Sequence, residues 1–292
     1  QPNVDFTKIT FQDCSKLKEF TIRSNITCIN QRFFYDCHSL ERITFENYSC
    51  VRQIGYCAFS NCKSLKEIII PSSVSTIGNG AFLGCSSLQK VILPPFLYRI
   101  NRYLFADCTS LETVSIPKYS VRYIFCNAFE GCSSLKQINL PRIKSIRENT
   151  FFNCTSLIEI SIPSSVNKIG KNAFYNCSSL KNISFSSKIK TIDNGAFSCC
   201  SSLVQLNLPN RLVSIGYNSF SNCTSLEEVV FHSSLKIIGN NCFLNCTSLK
   251  TAILPSSLKY IGNYAFASCQ SLPHIDIPAS VKHIGFYAFD DC

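Results

Sequence analysis

The sequence lacks any apolar run close to the ~20 residues that a membrane-spanning helix needs, so no membrane span is expected in this segment. It also begins at Gln1 without an initiator methionine or a basic and apolar leader, so we expect a targeting segment to have been removed or never to have been present. Charged residues are scarce at 16%, whereas hydrophobic residues reach 46%, and this composition excludes a disordered chain.

Signatures of catalysis and of cofactor binding are also missing. The chain has no phosphate loop, no dinucleotide fingerprint, and no CxxC or Cys/His spacing of the zinc-binding type. His274 and His283 lie near Asp276, which leaves a hydrolytic cluster as an alternative, but no nucleophile stands out among the many serines. The sequence therefore predicts a protein that is not an enzyme and that uses no metal or other cofactor.

A ladder of regularly spaced cysteines is the strongest signal in the chain. Thirteen of the 19 cysteines recur at intervals of 23 residues in nine of twelve cases, with single intervals of 25, 24 and 22. These ladder cysteines are Cys14, Cys37, Cys62, Cys85, Cys108, Cys132, Cys154, Cys177, Cys200, Cys223, Cys246, Cys269 and Cys292. The irregular intervals place additions at 47–50 and 118–120 and a deletion beside Pro141, so this segment of the repeat is predicted to be an exposed loop.

Each repeat predicts its own local structure. Ile68 and Ile70 alternate with outward residues, as in a strand with one buried face. Ala81, Phe82 and Cys85 have the spacing of a single helical turn with its apolar side inward. Stacked copies predict an α/β repeat protein, a curved solenoid of about 12–13 repeats with a parallel sheet on one side and short helical turns on the other.

The repeats also share a fixed sequence pattern. The run SLKEIIIPSSVSTIGNGAFLGCSSL recurs as SLIEISIPSSVNKIGKNAFYNCSSL and SLKTAILPSSLKYIGNYAFASCQSL. It resembles the BspA-like leucine-rich repeat of surface proteins of bacteria and parasitic protists, over essentially the whole chain. The resemblance implies one leucine-rich-repeat domain over residues 1–292, displayed at a surface for adhesion and for binding protein or matrix, but no shared functional motif allows site residues to be carried over.

The two ends depart from this pattern. Residues 1–37 form an atypical first repeat, with Lys16 and Arg23 in place of the usual serine and proline, as expected of a cap. The chain ends mid-repeat at Cys292, which predicts an open apolar end that further repeats or another chain could stack on.

The ladder cysteines are predicted to be reduced core residues, because every repeat has a core and free cysteine behaves as a small hydrophobe. Neighbouring copies are expected to lie farther apart than the ~4.4–6.8 Å between alpha carbons that a disulfide needs. Cys28 with Cys50, both outside the ladder, is the alternative of one bridge closing a cap.

Seven asparagines lie in glycosylation-type triplets, and Asn47 is the best candidate because it lies in the longest loop. Four others, Asn153, Asn176, Asn222 and Asn245, directly precede a ladder cysteine, where other repeats have residues that tolerate a left-handed backbone. Secretion or display at the cell surface is favoured, and a cytoplasmic location is the alternative.

Two features of the outward positions predict binding surfaces. Ile69 with Ile92, and Val230 with Ile253, interrupt an otherwise polar sheet face, and adjacent exposed aliphatic side chains can seed a contact. The net charge of +10 is partly concentrated in one repeated position, occupied by Arg52, Arg122, Lys144, Lys190, Lys236, Lys259 and Lys282. Lys236, Lys259 and Lys282 are the candidate residues for an anionic partner, and a solvated face that discourages edge pairing is the alternative.

These features predict a non-enzymatic binding or adhesion protein that presents its repeats to a protein, matrix or glycan ligand. The alternative is an intracellular interaction scaffold, for which many reduced cysteines are natural. Nucleic acid is not expected as a partner, because no stacking aromatics or recognised module accompany the charge. The sequence leaves the oligomeric state open.

Overall fold

The computed structural model describes residues 10–292, in which 22 short strands follow one another. The chain divides into two compact units, the first ending at Pro141 and the second beginning at Arg142. Each unit is a parallel β-solenoid in which one repeat supplies one turn. The single domain over residues 1–292 stays a prediction, and residues 1–9 of the predicted first repeat lie outside the described part.

The first unit contains ten strands. Their bounds are β1 (Glu19–Ile22), β2 (Cys28–Ile29), β3 (Arg42–Phe45), β4 (Gln53–Ile54), β5 (Glu67–Ile69), β6 (Thr76–Ile77), β7 (Lys90–Ile92), β8 (Arg99–Ile100), β9 (Thr113–Ser115) and β10 (Tyr123–Ile124). The longer strands form a parallel sheet in the order β1-β3-β5-β7-β9, and the two-residue strands form the sheets β2-β4-β6 and β8-β10. Paired residues are equivalent positions of neighbouring repeats, such as Ile68 and Val91.

The second unit repeats this arrangement. Its strands are β11 (Ser145–Ile146), β12 (Glu159–Ser161), β13 (Lys168–Ile169), β14 (Asn182–Ser184), β15 (Thr191–Ile192), β16 (Gln205–Asn207), β17 (Ser214–Ile215), β18 (Glu228–Val230), β19 (Ile237–Ile238), β20 (Thr251–Ile253), β21 (Tyr260–Ile261) and β22 (His283–Ile284). The two-residue strands form one sheet, β11-β13-β15-β17-β19-β21-β22, and the longer strands form β12-β14 and β16-β18-β20.

The core of each unit consists of columns of equivalent side chains. Phe59 and Phe82 stack with ring centroids 5.4 Å apart in the first unit, and Phe174 and Phe197 stack at 5.0 Å in the second. All four rings are fully buried. Burying a phenylalanine contributes about 1.5–3 kcal/mol, whereas ordering costs ~1–2 kcal/mol per residue, so a repeat depends on its neighbours for stability.

The predicted helical turns are wrong, because no helix occurs in residues 10–292. The segment around Phe82 is a series of tight turns with two residues in the left-handed conformation, Gly80 (φ 60°) and Gly84 (φ 71°). The backbone N–H groups of Gly80, Phe82 and Gly84 donate to carbonyls of the following repeat at 2.8–3.1 Å. In an α-helix, those N–H groups would donate to carbonyls four residues earlier in the chain. Here they donate to the next repeat, so the hydrogen bonds of a helix do not form.

The same two left-handed positions recur in every repeat of both units from Arg32 onward, and the described part of the first repeat has one of them, Asp13. We call them left-handed corners, and they are Asp13, Arg32, Asp36, Cys57, Asn61, Gly80, Gly84, Tyr103, Asp107, Asn127, Gly131, Asn149, Asn153, Asn172, Asn176, Gly195, Cys199, Asn218, Asn222, Asn241, Asn245, Tyr264, Ser268, Tyr287 and Asp291. The prediction that residues before the ladder cysteines have a left-handed backbone is confirmed.

The predicted loops are confirmed between the first and second strand of a repeat. The first residues of β3 and β4 are 11 positions apart, and those of β9 and β10 are 10 apart, against 9 for β5 and β6. The two insertions therefore lengthen only this connection and leave the strand register intact.

Candidate binding surfaces

An exposed isoleucine pair lies on the five-stranded sheet of the first unit. Ile69 and Ile92 are paired in register at the ends of β5 and β7, and their side chains are 78% and 54% exposed. Strand alternation directs the preceding Ile68 and Val91 into the core and leaves this pair in water. Two adjacent apolar side chains held by a rigid sheet suit contact with a partner.

A cleft of about 550 Å³ lies beside this pair. Its lining includes Ile69, Thr44 and the charged residues Arg42 and Glu67, and one wall is Tyr48 from the longest loop. Tyr48 is 96% exposed and adopts a left-handed backbone conformation, with φ of 58°. The two-residue insertion thus places an aromatic ring next to the sheet face.

Two more exposed aromatic side chains lie on equivalent loops of the first unit. Phe96 follows β7 and is 71% exposed, and Tyr119 follows β9 and is 81% exposed. The ammonium group of Lys118 lies 5.8 Å from the Tyr119 ring centroid, a cation–π distance. The corresponding loops of the second unit have no exposed aromatic residue, since Phe231 is buried and Phe185 half-buried.

The second predicted apolar pair has the same geometry in the second unit. Val230 and Ile253 are paired in register on β18 and β20. Ile253 is 77% exposed, but Val230 is only 39% exposed. No exposed aromatic loop accompanies this pair, so it offers less apolar surface than Ile69 and Ile92.

The three predicted lysines form a row in the second unit. The N–H of Lys259 donates to the carbonyl of Lys236 at 2.9 Å, and the N–H of Lys282 donates to that of Lys259 at 2.9 Å. All three side chains are exposed, and within residues 10–292 none of them forms a salt bridge. Their positive charges therefore add along one edge of the turns.

Asn47 is exposed in its loop, as a glycosylation site requires. The asparagines before the ladder cysteines differ, because their side chains are half-buried and bonded to one another. The amide nitrogen of Asn176 donates to Asn153 at 3.0 Å, and that of Asn245 donates to Asn222 at 2.9 Å. These amide nitrogens are engaged in the fold, which leaves Asn47 as the better candidate.

The cysteines are free, and most ladder cysteines are buried. Each buried ladder thiol with a described partner donates to a phenylalanine carbonyl of the preceding repeat, as Cys85 does to Phe59 at 3.0 Å. Burial in apolar surroundings raises the pKa of these thiols, to about 12 for Cys269. Cys28 and Cys50 are both free, so the alternative of a bridge between them is not borne out.

The predicted wide spacing of the ladder cysteines was wrong. Hydrogen bonds between turns and the phenylalanine stacks hold neighbouring repeats at about one strand spacing, ~4.8 Å, which lies within the range of a disulfide. The thiols stay separate because each one points to a backbone carbonyl.

Three of the four histidines have structural contacts. His38 and His232 bond to Asn61 and Asn207 at 2.9 and 3.1 Å, and His283 stacks on Tyr260 with centroids 4.6 Å apart. In the described part of the chain, no group of three or more histidine, cysteine, aspartate or glutamate side chains is arranged to hold a metal ion. No helix in residues 10–292 is long and apolar enough to cross a bilayer.

Comparison with known families decides the identity of the repeat. The model of the BspA type leucine rich repeat region matches residues 5–125, 98–207 and 169–292, in six copies. The chain belongs to the BspA-type leucine-rich-repeat family. The predicted resemblance is therefore confirmed.

Several solved structures similar to this BspA-type chain come from bacteria. A leucine-rich repeat protein from Bacteroides ovatus is 32% identical, with a TM-score of 0.83, over 97% of this chain and 72% of its own. A leucine rich cell surface protein from Faecalibacterium prausnitzii is 29% identical, with a TM-score of 0.58, over 94% and 77%. A leucine-rich repeat protein from Eubacterium ventriosum, 24% identical with a TM-score of 0.61 over 94% and 82%, shows the fold alone. No curated protein matches the chain.

Sequence reasoning missed the aromatic loops of this BspA-type protein. Tyr48, Phe96 and Tyr119 lie in a segment that carries mainly proline and serine in the other repeats. Aligning the repeats and searching the loop positions for aromatic residues would have found them.

Proposed function

We propose that this chain is a non-catalytic binding protein of the cell surface or of secreted material, whose protein ligand docks on the first unit. The surface consists of Ile69 and Ile92 on the sheet, with Tyr48, Phe96 and Tyr119 on the adjoining loops. The observation that carries the proposal is the in-register isoleucine pair beside the Tyr48 cleft. Rigid aromatic and aliphatic anchors beside a cleft are typical of the few residues that dominate binding energy.

Family membership and the exposed Asn47 support an extracellular location, and a similar solved protein is described as a cell surface protein. The free thiols favour the intracellular scaffold as the competing proposal. Mass spectrometry of the native protein distinguishes the two, because a glycan on Asn47 requires passage through a secretory pathway.

A second candidate surface is the lysine row. Lys236, Lys259 and Lys282 are exposed and unpaired by acids, so they suit an anionic glycan of the matrix or an acidic protein. Their summed field would act at long range, and we therefore expect this binding to weaken as salt rises.

The test is one binding assay on immobilised extracellular-matrix extract at low and high salt. Ile69→Asp with Ile92→Asp should weaken binding at least about tenfold at both salt concentrations, because a buried carboxylate in an apolar contact is costly. The matched control is Val230→Asp with Ile253→Asp, which changes an equivalent pair and should leave binding intact.

Reversing Lys236, Lys259 and Lys282 to Glu separates the two candidate surfaces. If the lysine row binds, this triple variant loses the salt-sensitive part of binding and the isoleucine variants do not. Unchanged binding of the Ile69 and Ile92 variant, with its fold verified by circular dichroism, would reject the sheet surface.

A further inference from the structure

The turn segments of the second unit line a small open cleft of about 340 Å³, which we call the Tyr175 cleft. Its floor is made by small residues. Ser198 and Ser221 are buried, with hydroxyl groups 2.9 Å apart. Gly195 is a left-handed corner at which the flanking repeats have Asn172 and Asn218, and a Cβ atom at Gly195 would collide with Oδ1 of Asn172. The cleft exists because these positions lack large side chains.

One wall of the cleft is an aromatic platform. Tyr175 stacks on Phe152, with ring centroids 4.9 Å apart and planes 9° apart. Phe152, Tyr175 and Ser198 hold the same position in consecutive repeats. The face of Tyr175 opposite Phe152 is therefore directed to the place where the next ring of the column would lie, and Ser198 leaves that place open.

The platform is held in position. The Cys199 thiol lies near the Tyr175 hydroxyl, and their interaction raises the pKa of Tyr175 above its ordinary value. On the other side, Oδ1 of Asn194 accepts a hydrogen bond from the backbone N–H of Tyr217 at 2.9 Å, which fixes the second tyrosine at the rim. Binding would therefore require little reordering of the protein.

Amide and ammonium groups surround the platform. Asn172 and Asn218 lie on either side of Gly195, and the exposed Lys171 lies at the rim. A ligand that fits must offer a flat apolar face to the tyrosine and several hydrogen-bonding groups at its edge. A pyranose ring combines both, since its axial C–H groups form an apolar face and its hydroxyls both donate and accept hydrogen bonds.

We propose that the Tyr175 cleft binds a pyranose sugar, which stacks on Tyr175 and bonds to Asn172, Asn218 and Lys171. An aromatic peptide side chain would also stack, but it would bury the amide groups without partners, which is unfavourable. This site lies within the second unit and uses none of the residues proposed to bind a protein on the first unit, so either proposal can fail alone.

The test is saturation-transfer NMR on the full chain with methyl pyranosides of glucose, galactose, mannose, N-acetylglucosamine and glucuronic acid. At least one should receive saturation on the ring protons of one face. Tyr175→Leu should weaken that binding about tenfold, because it removes the aromatic stack. Asn172→Gly should also weaken it, while preserving the left-handed backbone. Lys171→Gln should weaken the glucuronide most if an acidic sugar is preferred.

The matched control is Leu244→Ala, at the position of Tyr175 in a repeat outside the cleft. It should bind as the unaltered chain does. The proposal is overturned if no pyranoside receives saturation at millimolar concentration, if the folded Tyr175→Leu and Asn172→Gly variants bind normally, or if Leu244→Ala weakens binding as much as they do.

Discussion

At the scale of single residues, the left-handed corners decide how each turn closes. Most are not glycine, and Arg32, Tyr103 and Tyr264 are among the residues that adopt this conformation with φ between 53° and 56°. In a residue with a Cβ atom, that conformation brings unfavourable steric contacts. Asparagine tolerates them better than most such residues. The repeated asparagine at these positions is thus a backbone requirement rather than evidence of glycosylation.

Substitution of Asn241, with φ of 53°, tests this requirement. Asn241→Val should lower the free energy of unfolding by about 1–2 kcal/mol, because a β-branched residue is strained in the left-handed region. Asn241→Gly should leave it unchanged or raise it slightly. Urea denaturation followed by circular dichroism measures both, and equal stability of the two variants would contradict the assignment.

At the scale of the repeat element, the turn segment forms a third set of backbone hydrogen bonds between neighbouring repeats, in addition to those of the two strands. Its alternate N–H groups join neighbouring repeats as the two strands do. The ladder thiols add a second donor to phenylalanine carbonyls that already accept a backbone N–H within their own repeat. Because these thiols are buried, ionising one in the folded state is unfavourable.

This burial predicts loss of stability in alkali. The folded pKa of Cys269 is raised to about 12, from an ordinary value of 9.0. Below pH 9 the thiol is protonated in both states and its contribution is intact. Between pH 9 and 12 only the unfolded state releases the proton, so each such thiol should lower the unfolding free energy by about 1.4 kcal/mol per pH unit.

Urea denaturation at several pH values above 9 measures this slope. Cys269→Ala serves as the matched variant, because it removes one buried thiol and should make the slope shallower by that amount.

Maleimide labelling of the native chain at pH 7 should spare the thirteen buried cysteines and modify the exposed Cys50 and Cys292. Rapid labelling of most cysteines in the native state would contradict the burial of the ladder.

At the scale of the whole molecule, stability is collective within each unit. A phenylalanine in the column contacts its equivalents in the repeats on either side, as Phe174 does at 5.3 Å from Phe151 and 5.0 Å from Phe197. A repeat protein of this kind gains its stability mainly from contacts between neighbours. Damage to one repeat should therefore spread to adjacent ones.

Phe174→Ala should lower the free energy of unfolding by about 3–5 kcal/mol, because it opens a cavity in the column. Hydrogen exchange should show lost protection that is largest in the repeat of Phe174, extends to the repeats of Phe151 and Phe197, and declines with distance from them. Loss confined to the turn of Phe174 alone would argue against coupling between repeats.

Local patterns were enough to predict the repeat, the strands and the loops. The alternation of Ile68 with outward residues, the spacing of the ladder cysteines and the position of the insertions can all be read from the order of residues along the chain. The exposed pairs Ile69 with Ile92 and Val230 with Ile253 could be placed for the same reason, because strand alternation fixes which side chains face outward.

Tertiary structure alone decided the backbone conformation of the turn segment around Phe82. The spacing of Ala81, Phe82 and Cys85 is compatible with a helix. Instead, the backbone N–H groups of Gly80, Phe82 and Gly84 bond to the next repeat, a partner that no local pattern reveals. The Tyr175 cleft likewise depends on small residues in successive repeats that become neighbours only when the turns stack. Sequence determined the period and the buried faces, and stacking determined the hydrogen-bond partners and the cavities, because both arise between residues one repeat apart.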